Sequence, residues 1–342
     1  MIKGVRNLII YSPSNSPSHN QHIKGTYDIF EKIDSIYEWN LVRIRHFYEF
    51  LKYKKGSKLI IYSPSIYNLF VLFLGIFSEV KISYWLHEPF PFIFILKSDK
   101  TTFKKIFRSF FISYIYNPII ILLSNEIIIS SLNAEQLLFS NSFGILIKIL
   151  NKKIRFIPLP LDEKAYQFKN VVKKNNIFIL ASLNKDKVIH NIINIIEDYP
   201  ELEFKIIFTK KVFQKLNQTN LIRDLKNFKN VTFEIYEFLK DEMIYESMAA
   251  SKFIILPYRY VTQSAFMPSL IATGTIPIIS DNIGFRDFCF EFSKHVILLN
   301  KEINLSKQIE LMNHEKARKA LLSYSEVYRK EVSNRFLDFL ND

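Results

Sequence analysis

The sequence has few of the residues that mark several common kinds of site. Its single cysteine, Cys289, cannot form an internal disulfide, and no group of His and Cys has zinc-site spacing. Only seven glycines are present, and none forms a Gly-x-Gly-x-x-Gly motif after an early strand, which argues against a nucleotide-binding oxidoreductase. An Asp-x-Asp motif is also missing. We therefore expect a protein of a reducing compartment without a bound metal.

The first residues contain too little apolar sequence for a secretory signal. The apolar run from Leu8 to Tyr11 is four residues long, whereas the apolar region of a signal peptide has roughly 7 to 15. We expect a cytoplasmic protein.

Negative charge is scarce in the first half of the chain. The net charge is +13, and residues 1–168 contain 21 Lys and Arg against 12 Asp and Glu, while the remainder contains 25 against 21. The first half is therefore expected to face an anionic partner. Nucleic acid and an anionic membrane surface both fit, and charge alone does not separate them.

The run LIIYSPS occurs twice, at residues 8–14 and 59–65. Each copy is an apolar strand that ends in a small polar turn and is followed by a helical pattern. Two similar strands from an isoleucine-rich composition would suffice to explain the repeat. Alternatively, both turns line one cleft, because loops after parallel strands form the binding site of such sheets.

Strands and helices alternate along both halves of the chain, which is typical of doubly wound parallel sheets. Further strands are predicted at VKISYWL, NEIIIS and IRFIPL, and a second alternating series begins at NIFILAS and ends at IPIISD. Apolar residues repeat at helical spacing from Ala317 to Leu340. We predict an α/β fold with domains at residues 1–168 and 169–312 and a C-terminal helix at 313–342.

A basic stretch is followed by an uncharged one. Residues 97–108 contain five Lys and Arg and one Asp, and no charge occurs in the 17 residues from Ser109 to Asn125. Three structures fit this pattern: a membrane-spanning helix at the lower length limit, a buried helix, and a basic amphipathic helix lying on a membrane.

The stretch ILPYRYVTQSAFMPSLIATGTIPIISDNIG, residues 255–284, has the clearest local pattern. It predicts a strand, a polar loop from Tyr258 to Gln263, a helix beginning near Ser264 and ending at Gly274, and a second strand. Thr262 or Ser264 can cap the helix. A helix N-terminus after a parallel strand offers free N–H groups and a positive dipole end, which suits a phosphate.

This stretch resembles the family 4 glycosyltransferases, which have the GT-B fold. The matching residues are Pro257-Tyr258-Arg259, Thr262-Gln263-Ser264 with Ala265 in a glycine position, Ala272-Thr273-Gly274, Pro277-Ile278-Ile279, Ser280-Asp281 and Gly284. Elsewhere ILASLNKDK (residues 179–187) resembles the family's diphosphate-contacting segment, with Lys187 in the lysine position and Ser182 replacing an arginine. His87-Glu88-Pro89 resembles the strand end beside the transferred sugar.

The resemblance implies two Rossmann-like domains facing across a cleft, with the C-terminal helix packing back on the first. It implies a donor site for a nucleotide sugar and no cofactor or metal. The donor-binding candidates are Lys187, Ser182, Tyr258, Arg259, Thr262, Gln263, Ser264 and Ala265, and the catalytic candidates are His87 and Glu88. The two LIIYSPS copies would then belong to neighbouring strand–helix units on the acceptor side.

The chain departs from the family pattern at the paired glutamates, whose positions are occupied by Val261 and Ser269. Two functions are therefore considered. The first is a cytoplasmic glycosyltransferase on the inner face of the membrane, which transfers a sugar from a UDP-, GDP- or dTDP-linked donor to a lipid-linked saccharide in surface polysaccharide or lipopolysaccharide synthesis, without nucleic acid. The alternative is a non-catalytic protein of the same fold that binds an anionic surface or nucleic acid.

Overall fold

The computed structural model describes residues 6–11, 23–24, 26–30, 39–46, 48–53, 56–62, 66–86, 103–139, 142–181, 189–218, 220–258, 264, 266–281, 284–285, 293–299 and 304–342. The chain divides into two compact units. The first comprises residues 1–160 and 330–342, and the second comprises residues 161–329.

The described part of the first unit contains a six-stranded parallel sheet. Its strands are β1 (Arg6–Tyr11), β2 (Trp39–Ile44), β3 (Lys58–Ile61), β4 (Lys81–Trp85), β5 (Glu126–Ile129) and β6 (Lys153–Phe156), in the order β2-β1-β3-β4-β5-β6. The two LIIY runs lie side by side, because β1 pairs directly with β3 and places Tyr11 opposite Ile61. The repeated sequences thus form neighbouring strands, as expected.

Helices cover one face of this sheet. They are α1 (Ile66–Gly75), α2 (Phe103–Phe111), α3 (Asn117–Leu123), α4 (Leu132–Phe139) and α5 (Ser142–Ile149), and a π-helical segment at Ile112–Tyr116 joins α2 to α3. Alternate strand residues such as Ile9 and Ile127 pack against Leu72, Ile120 and Ile147 of these helices. Successive side chains of a strand point to opposite faces of the sheet, so every second residue of these strands packs against the helices.

The described part of the second unit contains another six-stranded parallel sheet. Its strands are β7 (Lys174–Leu180), β8 (Phe204–Thr209), β9 (Val231–Tyr236), β10 (Ser251–Leu256), β11 (Ile276–Ser280) and β12 (Ile297–Leu299), in the order β12-β11-β10-β7-β8-β9. The helices are α6 (Glu163–Tyr166), α7 (Ile189–Asp198), α8 (Lys210–Asn217), α9 (Leu221–Lys226), α10 (Asp241–Ala250), α11 (Phe266–Thr273) and α12 (Leu305–Leu311).

The C-terminal helix α13 (His314–Asn341) contributes to both cores, as its apolar stripe predicted. Ala317 and Leu321 belong to the core of the second unit. Phe336 and Phe339 join Trp85 in the core on the other face of the first sheet. The α/β class with two parallel sheets and a packed C-terminal helix is therefore confirmed.

A buried ionic network lies where the first sheet begins, at the amino ends of its strands. The Glu126 carboxylate accepts from the Ser83 hydroxyl at 2.7 Å and from Arg155 Nε at 2.6 Å, and both charged side chains are about nine-tenths buried. Arg155 also pairs with Asp342, directly after α13. The network thus ties the end of the chain to strands β5 and β6.

Strands β2 and β12 were not predicted from the sequence, and both are edge strands with short or interrupted apolar sequence. The basic stretch 210–228 forms two short helices, α8 and α9, with a break near Gln218. Leu216 and Leu225 are both buried, so the break lets each short helix turn its own apolar side to the core.

Candidate functional site

The order of the strands locates a crevice in the second sheet. The chain runs from β7 outwards through β8 and β9, then returns to place β10 on the other side of β7. The connections after β7 and β10 therefore leave the sheet in opposite directions. Ligands of open α/β sheets bind at such a switch point, beyond the carboxyl ends of the strands.

The chain after β10 begins with two buried residues, Pro257 and Tyr258. The Tyr258 side chain is buried, and its ring lies 5.6 Å from the ring of Phe285, which is also buried. The Ser280 hydroxyl, at the end of β11, donates to the Tyr258 carbonyl. Burial raises the pKa of Tyr258 well above the usual range of a phenol, so this side chain stays neutral. These contacts make Tyr258 a fixed support for the residues that follow.

Helix α11 begins at this edge of the sheet, two residues later than the sequence predicted. Ser264 is buried beside its start, and its carbonyl accepts a hydrogen bond from the Met267 amide at 3.1 Å. Gly274 ends the helix with φ +61°, and the Thr275 amide bonds back to the Leu270 carbonyl at 3.1 Å. This is the left-handed glycine termination common at helix ends. The positive end of the α11 dipole thus lies beside the switch point, where it suits an anion, although Pro268 in the first turn has no N–H to donate.

A polar network that the sequence did not predict supports α11 from behind. The Asp162 carboxylate caps α6 through the Lys164 amide at 3.0 Å and accepts from the Tyr245 hydroxyl at 3.0 Å. Tyr245 also hydrogen-bonds with Ser269 of α11. Burial and the Asp162 charge raise the pKa of Tyr245, which keeps it a hydrogen-bond donor. Ser269, at the position of a family glutamate, is buried and serves this network. Only the helix-capping sequence at Asp162 could have suggested part of it.

The first sheet has a switch point of its own. Strand β1 pairs with β2 on one side and with β3 on the other, so the two LIIYSPS copies flank it. Strand β4 is the next neighbour of β3, and the Leu86 amide after it donates to the Ile128 carbonyl at 2.8 Å. His87 and Glu88 directly follow this point in the sequence. Their chain segment therefore starts from the carboxyl edge of the first sheet.

Of the predicted site residues, Tyr258 and Ser264 are among those that the structure describes. The other candidates lie outside the described residues: His87, Glu88, Ser182, Lys187, Arg259, Thr262, Gln263 and Ala265. The strands that precede them are described. Ala181, the last described residue before the segment of Ser182 and Lys187, is buried, and its amide donates to the Ile207 carbonyl at 3.0 Å.

Within the described ranges, no group of three or more His, Cys, Asp or Glu is placed to hold a metal ion.

The sequence matches no protein-family model and no curated protein sequence. Its structure is similar to that of sucrose-phosphate synthase from Thermosynechococcus elongatus, with a TM-score of 0.67, 12% identity and 98% of each chain covered. It is similar to Anabaena HepE in complex with UDP, with a TM-score of 0.61, 11% identity, and 98% of this chain and 99% of that chain covered.

A third similar structure is the pneumococcal O-GlcNAc transferase GtfA in complex with UDP and GlcNAc. Its TM-score is 0.58 at 14% identity, and the alignment covers 84% of this chain but 57% of GtfA. The alignments with the first two structures include both units. They show that this chain has the two-domain α/β fold of these proteins, the GT-B fold that the resemblance implied.

Proposed function

We propose that the protein is a glycosyltransferase that transfers a sugar from a nucleotide-diphosphate donor to a saccharide acceptor. One observation carries this proposal. The two segments that resemble the donor-binding sequences of family 4 enzymes directly follow β7 and β10, and these strands flank the switch point of the second sheet. Residues 182–187 and 258–265 are 71 or more positions apart in sequence, yet the sheet brings their starting points to adjacent strands.

The chemistry requires stabilisation of a leaving diphosphate. The bond between the sugar carbon and the diphosphate oxygen breaks with its electron pair on the oxygen, while the acceptor hydroxyl forms the new bond and releases its proton. The positive dipole end of α11, Lys187 and Arg259 would stabilise the growing negative charge. We propose that these groups act without a metal ion. Tyr258 and Ser264 position this turn through their buried contacts.

The acceptor is assigned to the first unit. His87 or Glu88 would lie near the acceptor hydroxyl, after β4. We propose an acceptor linked to a lipid, in surface polysaccharide or lipopolysaccharide synthesis, and a cytoplasmic protein at the inner face of the membrane. The excess of positive charge in residues 1–168 supports this setting.

The comparisons support the donor class more than they support the acceptor. Two similar structures contain UDP, which favours a uridine nucleotide among the three predicted donors. Membership of family 4 stays a prediction that depends on the quoted motifs.

The test is calorimetric titration with UDP, GDP and dTDP without added metal. We expect one diphosphate to bind the wild type and Lys187→Ala to weaken that binding by tenfold or more, since one charge-assisted contact is worth on the order of 1.5–3 kcal/mol. Lys211→Ala is the matched control, because Lys211 is an exposed lysine of α8 in the same unit. If no diphosphate binds and arbitrary DNA binds with a steep loss on added salt, the non-catalytic alternative is correct.

A further inference from the structure

The helical segment from Phe103 to Leu123 exposes large apolar side chains on its outward side, and its inward side includes buried polar residues beside apolar ones. Its sheet-facing side includes Ser109, Ser113 and Asn117, which are all buried. Its outward side includes Phe103 and Phe107, which are 82% and 62% exposed. A helix on the surface of a water-exposed domain normally directs its apolar stripe inwards. This helix instead presents large aromatic side chains to the outside.

Two neighbouring helices continue the same surface. Helix α3 packs against α1 on one side and against α5 on the other, and all three contribute to one core over the first sheet. On the outward side, Phe73 of α1 lies 5.6 Å from Phe77, which is 74% exposed, and Ile145 and Ile149 of α5 are also exposed. We call the outward residues Phe73, Phe77, Phe103, Phe107, Ile145 and Ile149 the aromatic face.

The helices that carry most of the aromatic face contain cations and no acids, whereas Glu79, two residues after Phe77, is an exposed acid at its edge. No Asp or Glu occurs in residues 66–75, 103–123 or 142–149, whereas Lys104, Lys105, Arg108 and Lys148 do. The side chains of Arg108 and Lys148 are exposed. Exposed apolar surface next to unbalanced positive charge complements an anionic lipid surface, where acyl chains accept the rings and headgroups accept the cations.

One half of the helix belongs to the protein core, which limits how lipid can contact it. The window Ile106–Leu123 is long and apolar enough to cross a membrane by length and composition, with a mean hydropathy of 1.6. However, Tyr116, Ile120 and Ile121 are buried against the first sheet, and the Tyr116 hydroxyl accepts from buried Asn68 at 2.8 Å. Lipid can therefore reach only the outward half, which favours a helix lying in the plane of the membrane surface.

We propose that the aromatic face is a docking surface for an anionic lipid bilayer. The apolar side chains of the aromatic face enter the boundary between headgroups and acyl chains, and Arg108 of α2 and Lys148 of α5 contact the headgroups. The biological role of this surface rests on the proposed function, in which the protein acts at a membrane. Its geometry depends only on the described helices of the first unit.

Vesicle flotation of the full chain tests the proposal. The vesicles are pure phosphatidylcholine or a mixture of phosphatidylcholine and phosphatidylglycerol. The variants are Phe73→Gln/Phe77→Gln and Phe103→Gln/Phe107→Gln, which change exposed side chains and should leave the fold intact. Phe238→Gln is the matched control, because Phe238 is 79% exposed in the second unit.

We expect the wild type and Phe238→Gln to bind the anionic vesicles, more weakly as salt is raised. Each double variant should bind at least about tenfold more weakly, because two rings no longer leave water for lipid. Failure of the wild type to bind vesicles, or equal binding by all variants, would overturn the proposal. So would a wild-type dimer that the double variants convert to monomers without any vesicle binding, which would assign the face to a second copy of the chain.

Calorimetry with UDP on the same variants separates this proposal from the proposed function. Nucleotide binding should be unchanged in every aromatic-face variant, because the donor candidates lie in the second unit. Loss of vesicle binding with intact nucleotide binding supports the docking surface by itself. If vesicles bind but no nucleotide does, the docking surface stands and the glycosyltransferase assignment does not.

Discussion

Lys173 lies at the amino end of β7, where its charge is held in a poorly solvated position. Its ammonium group donates to the Thr275 hydroxyl at 2.7 Å and to the Ser251 carbonyl at 3.1 Å. Burial, with a smaller contribution from the Arg318 cation, lowers the pKa of Lys173 from 10.5 to about 7. As the pH rises, the folded protein therefore releases this proton about 3.5 pH units below the pH at which the unfolded chain does.

The direction of the pH dependence follows from this difference. Below pH 7 both states hold the proton and the folded state bears the full cost of a buried charge. Between pH 7 and 10.5 the unfolded state holds about one more proton, so the free energy of unfolding rises by about 1.4 kcal/mol per pH unit. His314, whose pKa is also lowered by burial and by neighbouring cations, titrates below this window. From pH 7.5 to 9.5 we expect a gain of about 2.5 kcal/mol in the second unit from Lys173.

The assay is pulsed hydrogen exchange with mass spectrometry at increasing urea, read on peptides that cover β7 and β10. The pulse itself is applied at one fixed pH, so only the unfolding equilibrium varies. Lys173→Met and Lys173→Arg both remove the titration, and the arginine variant should be the less stable because it keeps a buried charge. Wild-type stability should rise with pH relative to both. A wild-type profile parallel to that of Lys173→Met would refute the reasoning.

Three further substitutions test the packing. Gly274→Ala should destabilise the second unit by about 1–2 kcal/mol in urea unfolding, because φ is +61° and an added Cβ would lie 2.9 Å from Arg318 Cγ; an unchanged midpoint would contradict this. Asp162→Ala should lower the free energy of unfolding by about 2 kcal/mol, because the helix cap and a buried hydrogen bond are lost. Asp162→Asn should retain part of this stabilisation. Arg155→Met should cost about 3 kcal/mol by leaving buried Glu126 unpaired, and adding Glu126→Gln should restore most of it. Unfolding of the Arg155→Met and Glu126→Gln variants can be followed by the fluorescence of the two tryptophans, which both lie in the first unit. If the losses in unfolding free energy of the two single variants simply add in the double variant, the two side chains are not coupled and the prediction is wrong.

The central strands could be predicted from the sequence because they are buried on both faces. The runs at β1, β3, β10 and β11 are continuously apolar and end at turns, so the composition alone identifies them. Strand β2 has two exposed side chains, Asn40 and Arg43, since it lies at a sheet edge. Its weak apolar pattern could not reveal a strand.

The candidate site could be predicted only where residues near in sequence form it. Helix α11 and its end at Gly274 are local, so the pattern identified them. The pairing of Asp162 with Tyr245 joins residues 83 positions apart and depends on how α6 and α10 pack. The outward side of α2 likewise required the structure, because the sequence of residues 97–125 fits a buried, a spanning and a surface-lying helix.

The measurement that tests the central claim most directly is hydrogen exchange of the wild type with and without UDP, followed peptide by peptide. The account predicts slower exchange in peptides covering residues 182–188 and 259–266, after the strands that flank the switch point of the second sheet. Peptides at the amino ends of β7 and β10 should be unchanged. Saturating UDP that leaves both segments unchanged, or that protects only peptides elsewhere, would contradict the account.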